Sequence, residues 1–414
     1  MPLNADFVMN KEVLVCRRHG VAANPEVPWL CGECSTTLSP PIDDVVMDAE
    51  ALRERPRNIY RMRELLPVGP MPTIGLHTGW TPLVHARRLG GLIGLENLYL
   101  KLDCYNWPSF SYKDRVVAMA LQYAFERGAS TVACVSTGNV GNSLASLAAA
   151  ANMRAVVFYP DGIEPAKNVV SSVHGAEIFQ LQGTFDQVNA ICRELALKGV
   201  VPFVNLDLRP FYAEGAKTIA YEVVEQLGWR QPSNVIVPVA GATLLTRIAH
   251  GFEEMSRLGM TAAGGGPRIH AAQAAGCAPV ADAFEHGESA VRPCVPDTLA
   301  KSLAIGNPTD GKVALDLIGR SNGSASAISD EEIVESIGLL ASTEGVFTEP
   351  AGGVVVATAR RLARAGIISP EESVVAVISG NGLKAQEVVA SSVERVTRLP
   401  ADADTVTGAL IDAL

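Results

Sequence analysis

No apolar run in the 414 residues approaches the roughly 18 that cross a bilayer; the longest helical apolar stretch, 144–153, is short and alanine-rich. Charge is also scarce: 19% of residues are charged and 48% are apolar, against about 25% charged in an average soluble domain. Intrinsic disorder, which needs low hydrophobicity and high net charge, is thereby excluded. Basic residues are outnumbered, Lys+Arg 34 against Asp+Glu 44, for a formal net charge of −10. That balance argues against an extended nucleic-acid surface and leaves room for a local positive pocket that takes a small anion. The first residues, Met1-Pro-Leu-Asn-Ala-Asp-Phe, have no basic start and no apolar core, so no secretory signal is expected. Eight cysteines in a chain of this length do not make a disulfide framework. The expectation is a reduced, cytoplasmic protein with no membrane or nucleic-acid partner.

From about residue 75, short aliphatic or β-branched runs alternate with amphipathic segments. Strands are expected over 98–102, 131–135, 155–159, 177–181, 202–206, 234–239, 268–272 and 374–379. Helices are expected over 114–127, 141–151, 166–174, 184–196, 215–227, 244–257, 330–344 and 352–365. Alternation of this kind predicts βαβ units, and hence an α/β fold with mostly parallel sheets covered by helices. No repeat of about 20–50 residues is present. The end of the chain, 399–414, is small and polar and reads as a flexible tail.

The first forty-odd residues differ in character. Cys16-x2-His19-x11-Cys31-x2-Cys34 has the spacing of a zinc ribbon, in which two close pairs meet as a tetrahedral Cys3His site. One reading is structural zinc, stabilising a piece too small to own a core. The other is three free cysteines and an incidental histidine. Neither gives the cluster a catalytic role, because four protein ligands leave no open position.

The strongest local signal is Pro108-Ser109-Phe110-Ser111-Tyr112-Lys113-Asp114-Arg115, between a predicted strand and a predicted helix. A lysine in the first helical turn opposes the macrodipole, which favours its neutral, nucleophilic form. Asp114 and Arg115 are expected to answer one another or to cap the turn. Ser136-Thr137-Gly138-Asn139 also joins a strand to a helix, and its hydroxyls and N–H groups suit an anion or a ring oxygen. Ala240-Gly241-Ala242-Thr243-Leu244 lets the backbone approach a phosphate, with Thr243 adding a hydroxyl. It is not a P-loop, because the Gly-Lys-Ser/Thr ending is absent. Ser379-Gly380-Asn381-Gly382 ends the last strand. All four segments fall at strand C-termini, where open α/β sheets place ligands. A lysine, a phosphate cradle and hydroxyl-rich turns together suggest pyridoxal 5'-phosphate (PLP) held as a Schiff base.

On these residues the chain resembles the fold-type II PLP enzymes and, within them, the threonine synthase family. Ser111-Tyr112-Lys113-Asp114-Arg115 resembles the family's Ser-Phe-Lys-Asp-Arg motif, and 136–139 its Ser-Thr-Gly-Asn turn. Glu214-Gly-Ala-Lys-Thr218, Ile305-Gly-Asn-Pro308, 344–351 and 379–384 resemble further family blocks. The resemblance implies a tryptophan synthase β-like fold of two open α/β domains. A large PLP-binding domain would span 46–114 and 211–398, a smaller mobile one 115–210, and the ribbon-like segment 1–45. It also implies roles. Lys113 would carry the cofactor and act as acid and base. Asn139 would meet the ring oxygen, Gly241, Ala242, Thr243 and Leu244 the cofactor phosphate, and Ser379 the pyridine nitrogen. Ser111, Ser136 and Thr137 would meet the substrate, its carboxylate falling to the last two. Asn205, Arg209 and Lys217 would serve its phosphate. The activity implied is conversion of O-phospho-L-homoserine and water to L-threonine and phosphate by a homodimer. The alternative is another PLP-dependent replacement enzyme on a phosphorylated amino acid, such as a cysteate synthase-like protein. Asp207 favours the alternative, because a carboxylate facing a phosphate repels it unless Arg209 intervenes.

Overall fold

The computed structural model describes residues 14–20, 24, 26–39, 45, 47, 49–162, 165–261, 265–393 and 396–413. Among these residues nine strands form two sheets: β1 (Leu83–His85), β2 (Asn97–Leu102), β3 (Thr131–Val135), β4 (Arg154–Pro160), β5 (Glu177–Leu181), β6 (Asn234–Pro238), β7 (Arg268–Ala274), β8 (Ser324–Ile328) and β9 (Ser373–Ile378). Six of them run in the order β1-β2-β9-β6-β7-β8, and β3-β4-β5 make a separate three-stranded sheet. Among the described strands only β1 pairs antiparallel, with β2, and the other ladders are parallel. The chain is therefore an α/β protein with two open, mostly parallel sheets, as the alternation of patterns predicts.

The central strands read as unbroken apolar runs because both faces of the sheet are covered. In β9, Val375 and Val377 enter one core, while Val374, Ala376 and Ile378 enter the other. In β6, Val235 and Val237 face the first core and Ile236 the second, the period of two that a pleated strand imposes. Helix Lys113–Phe125 has its residues from Asp114 to Ala124 buried. Its apolar residues share the first core with Val132 and Cys134 of β3 and with Val235 of β6. That helix therefore joins the two sheets, and Lys113 is its first residue.

Seven of the eight expected strands form, within one or two residues of their expected ends. The segment 202–206 does not. Phe203 makes one parallel bridge to Ala133, and the chain then turns. Pro202 has no N–H to give a ladder. The Asn205 side chain replaces the backbone beyond that point, donating to the Val135 carbonyl (2.7 Å) and accepting from its N–H (3.3 Å). Two strands absent from the expected set lack its apolar pattern: β1 has three residues and β8 is Ser-Ala-Ser-Ala-Ile. At the chain end, Ala403–Ala413 is helical, with none of its residues buried. Among the described residues no helix is long and apolar enough to cross a membrane.

Candidate active site

The four segments singled out in the sequence converge on one cavity. Its wall includes Lys113, Ser136, Thr137, Asn139, the residues 241–244 and Ser379. Each belongs to a strand C-terminus or to the helix that follows. Thr137 and Asn139 follow β3, 241–244 follow β6 and open helix Thr243–Arg257, and Ser379 follows β9.

The loop before Lys113 is held from two sides. The Ser379 carbonyl accepts from Tyr112 N–H (2.9 Å), and Asn381 N–H donates to the Phe110 carbonyl (3.1 Å), tying the loop to the end of β9. Asp114 accepts from the Ser109 hydroxyl (2.6 Å) and N–H (3.0 Å), and burial pushes its carboxyl up to about 6. Lys384 donates to the Ser109 carbonyl (2.7 Å). Asp114 and Arg115 do not answer one another. Arg115 is fully buried and pairs instead with Asp103 (2.7 Å) and with Glu222, which also takes Lys101 (2.6 Å). Three adjacent charged residues thus have three tasks: Lys113 faces the cavity, Asp114 ties the loop, and Arg115 anchors the helix start.

The Lys113 amine donates to the Tyr112 hydroxyl (2.6 Å) and the Tyr212 hydroxyl (3.3 Å). Burial lowers its pKa, but the two phenol oxygens outweigh burial and hold the pKa above the ordinary lysine value. This corrects the expectation drawn from the helix dipole, since the local oxygens dominate a half-charge spread over a helix end. Tyr212 in turn is pushed up to about 12, by burial first and against the pull of Lys113.

Asn139 donates from Nδ2 to both carboxylate oxygens of Glu349 (3.0 and 2.9 Å), while its Oδ1 is buried without a partner. Glu349 is itself buried and lies in the cavity wall. Ser136 lines the cavity, but its hydroxyl accepts from Gly138 N–H and Gly141 N–H (both 2.9 Å) and so caps the turn. Gly138 has φ 131°, and a Cβ there would lie 2.1 Å from the Lys167 side chain, so only glycine fits this approach.

Around 241–244, Ala242 adopts a left-handed φ of 67°, which turns the chain into helix Thr243–Arg257. The first N–H groups of that helix have no intrahelical partner, which makes its start an anion cradle. The Thr243 hydroxyl donates to Asp310 (2.7 Å) and accepts from Arg209 (2.7 Å), and Arg209 pairs with Asp310 (3.2 Å). Arg209 therefore lies against the loop expected to hold the cofactor phosphate.

The remaining expected residues divide. Asn205 lines the cavity, its amide spent partly on Val135. Ser111 bridges Gly380, and its buried hydroxyl has no partner and is not part of the cavity wall. Lys217 does not reach the cavity. Its buried amine pairs with Glu214 and with Glu254 (3.1 Å), so it is no candidate for a substrate phosphate in this arrangement. Asp207 does not face the cavity either. It accepts from Phe203 N–H (2.7 Å), and burial pushes it up to about 7. The expected repulsion of a substrate phosphate is thereby removed.

Sequence reasoning missed Tyr212, Glu349 and Arg193 in the wall. Glu349 stood in a quoted family block; Arg193, on helix Phe185–Leu197, carried no motif. Trp29 and Leu30, from the cysteine-rich segment, also line the cavity. In that segment Cys16, His19, Cys31 and Cys34 bring their ligand atoms within 4.8 Å of one another. Cys16 Sγ lies 3.7 Å from Cys34 Sγ, and Cys31 Sγ 3.5 Å from His19 Nδ1. Tetrahedral bonds of about 2.3 Å to sulfur place two sulfurs nearly 4 Å apart, so the geometry fits a zinc-type ion.

The cavity also fits PLP. Its wall holds both an amine, Lys113, and the N-terminus of helix Thr243–Arg257. A buried amide, Asn139, oriented through Nδ2 by Glu349, lies in the same wall.

Comparison with known proteins agrees. The pyridoxal-phosphate dependent enzyme family model matches residues 74–380. A threonine synthase of Methanosarcina acetivorans is 34% identical over 389 residues, covering 93% of this chain and 95% of that protein. One of Methanocaldococcus jannaschii is 35% identical over 356 residues, covering 85% of this chain and 87% of that protein. Maize serine racemase superposes with a TM-score of 0.65 at 19% identity, covering 82% of this chain and 97% of that one. A threonine deaminase of Solanum lycopersicum gives 0.62 at 20%, covering 83% and 94%; these two likenesses show the fold. With Lys113, the 241–244 cradle and Ser379 on one cavity wall, and with relatives matched over most of its length, the chain belongs to the threonine synthase family of pyridoxal-phosphate-dependent lyases.

Proposed function

We propose that the protein converts O-phospho-L-homoserine and water to L-threonine and phosphate. One observation carries this reading: a single cavity joins a lysine between two phenols to a helix N-terminus and to two guanidiniums, Arg193 and Arg209. Those cationic and N–H groups suit two phosphates, one of the cofactor and one of the substrate.

When bound, PLP supplies an aldehyde that joins an amine and a ring that draws electrons from the substrate Cα. Lys113 would carry it, residues 241–244 would hold its phosphate, Asn139 would offer its second Nδ2 hydrogen to the ring oxygen, and Ser379 would serve the ring nitrogen. A hydroxyl at Ser379, in place of an acid, would place no negative charge beside that nitrogen to hold a proton on it. The Lys113 amine, within reach of the Tyr112 and Tyr212 hydroxyls, serves as the base toward the substrate. It takes the Cα proton and holds it as an ammonium between the Tyr112 and Tyr212 hydroxyls. After passing that proton on, the amine takes a Cβ proton as the Cγ–O bond breaks and phosphate leaves; the ammonium then returns one proton to Cγ and, once water has given its hydroxyl to Cβ, one to Cα. Thr137, with the turn that Ser136 caps, receives the substrate carboxylate. Arg193 and Asn205 receive the substrate phosphate, and Arg209 steadies the cofactor end. Closure of 115–210 over the cavity excludes bulk water before one water adds at Cβ. The cysteine-rich cluster holds a structural zinc ion.

The test is incubation of the purified PLP-loaded protein with O-phospho-L-homoserine and, separately, O-phosphoserine, with products identified by mass. Threonine and phosphate from the first are expected, and Lys113→Ala abolishes both. Phosphate release from phosphoserine alone, or full turnover by Lys113→Ala, refutes the reading.

A further inference from the structure

The cysteine-rich segment reads in the sequence as a separate structural piece, yet it supplies part of the cavity wall. Trp29 and Leu30 line the cavity beside Lys113, and Trp29 is buried among Ala133, Val135, Phe203 and Leu206. These two residues sit on one arm of a short hairpin. Leu30 bridges Thr37 antiparallel, Leu38 N–H donates to the Trp29 carbonyl (3.1 Å), and Cys31 N–H donates to the Thr36 carbonyl (2.9 Å). The turn that closes the hairpin is the Cys31-x2-Cys34 knuckle. The other knuckle, where Cys16 bridges Gly20, is tied to the same hairpin through Val15 and Ser39.

The second arm reaches the phosphate cradle. Thr37 donates to Asp310 Oδ1 from both its N–H (3.1 Å) and its hydroxyl (2.9 Å), and Arg209 Nε donates to that hydroxyl (2.8 Å). Asp310 and Arg209 are the two partners of the Thr243 hydroxyl. Beside them, Arg247 donates to Ser39 and to the Thr37 carbonyl (3.2 Å), and pairs with Glu214 (2.7 Å). A small unit without a large core of its own thus meets the cradle through the buried Thr37, by both its N–H and its hydroxyl.

We propose that the Cys16–His19–Cys31–Cys34 cluster, by binding a zinc ion, is a positioning element of the active site. It fixes the 29–38 hairpin so that Thr37 orients Arg209 and Thr243 at the cofactor phosphate, while Trp29 and Leu30 complete the wall. The metal does no chemistry; Thr37 acts through Arg209, Asp310 and Thr243 and is a positioning residue. The proposal rests on the reading of 241–244 as the PLP phosphate cradle and is independent of which amino acid is the substrate.

The test uses the full chain. PLP affinity is measured by absorbance titration of cofactor-free protein in three states: as purified with its zinc, stripped by a chelator, and stripped with zinc restored. The same titration is made on zinc-loaded Thr37→Val and Thr37→Ser. Loss of one hydrogen bond between charged groups and Thr37 predicts about tenfold weaker PLP binding, or about 1.4 kcal/mol. That loss is expected on stripping and in Thr37→Val, with recovery on zinc addition and in Thr37→Ser. Inorganic phosphate, which should compete for the same cradle, weakens in parallel. Unchanged PLP affinity in the zinc-free protein, or in Thr37→Val, overturns the proposal, and so does purified protein that retains no zinc. Because PLP binding is the readout, wild-type protein that makes no threonine would sink the proposed reaction and leave this comparison decisive on its own terms.

Discussion

Replacing Glu349 tests the site most directly, because one carboxylate sets how Asn139 faces the cavity. Glu349 is only 2% exposed, and both its oxygens accept from Asn139 Nδ2, at 3.0 and 2.9 Å. That amide is the group proposed to meet the cofactor ring. Hydrogen bonds to charged groups contribute about 1.5–3 kcal/mol, so Glu349→Ala frees the amide at a cost of roughly tenfold to hundredfold in PLP affinity. Glu349→Gln keeps an acceptor of the same shape with neutral bonds about half as strong, so its loss is smaller, about threefold to tenfold. Glu349 is the residue before helix Pro350–Arg364, but its side chain makes no capping bond there, so the helix survives both changes. The assay is an absorbance titration with PLP, paired with thermal unfolding of the cofactor-free variants. An alanine variant that stays folded and holds PLP as tightly as the wild type refutes the clamp.

Two further predictions concern the frame around the site. Arg115→Met leaves Asp103 and Glu222 buried with Lys101 as their remaining cation; breaking such a buried pair costs about 3–5 kcal/mol, read as a lower urea midpoint, and a change under about 1 kcal/mol contradicts the assignment. His270, on β7, touches Asn234 of β6 (3.0 Å) and Ser324 of β8 (2.8 Å), and burial lowers its pKa from 6.5 to about 4. Between those values the unfolded chain binds the proton and the native one does not, so stability falls as pH drops through that window, by an amount on the order of 3 kcal/mol. His270→Gln should flatten this limb of the stability–pH curve, and an unaltered limb would assign the titration to another group.

The legible parts of the protein were those whose signal is local. Alternating apolar and amphipathic segments announced parallel α/β structure because strands covered on both faces must be apolar throughout, as β6 and β9 are. Lys113, 136–139, 241–244 and Ser379 could be picked out because each sits at a strand end, where the fold collects ligands. Residues whose role depends on a distant partner were misread. Lys217 shares a motif with Glu214 but spends its charge on Glu214 and Glu254. Asp207 looked like an obstacle to a phosphate and instead accepts from Phe203 N–H. The strand expected at 202–206 failed because a side chain, Asn205, took over the pairing with Val135.

By itself, then, the order of residues determined the fold class, the strand-end segments that meet at one cavity and a cluster of metal-ligand type, since periodicity, glycine placement and ligand spacing are properties of neighbours along the chain. Only the folded chain decided what surrounds them. Two phenols hold the Lys113 amine, Glu349 clamps Asn139 across 210 positions, and Thr37 meets Asp310 across 273. Charge and hydrogen bonding act through space over a few ångströms. Which groups come that close is settled by how the two sheets, the helix between them and the cysteine-rich hairpin pack together.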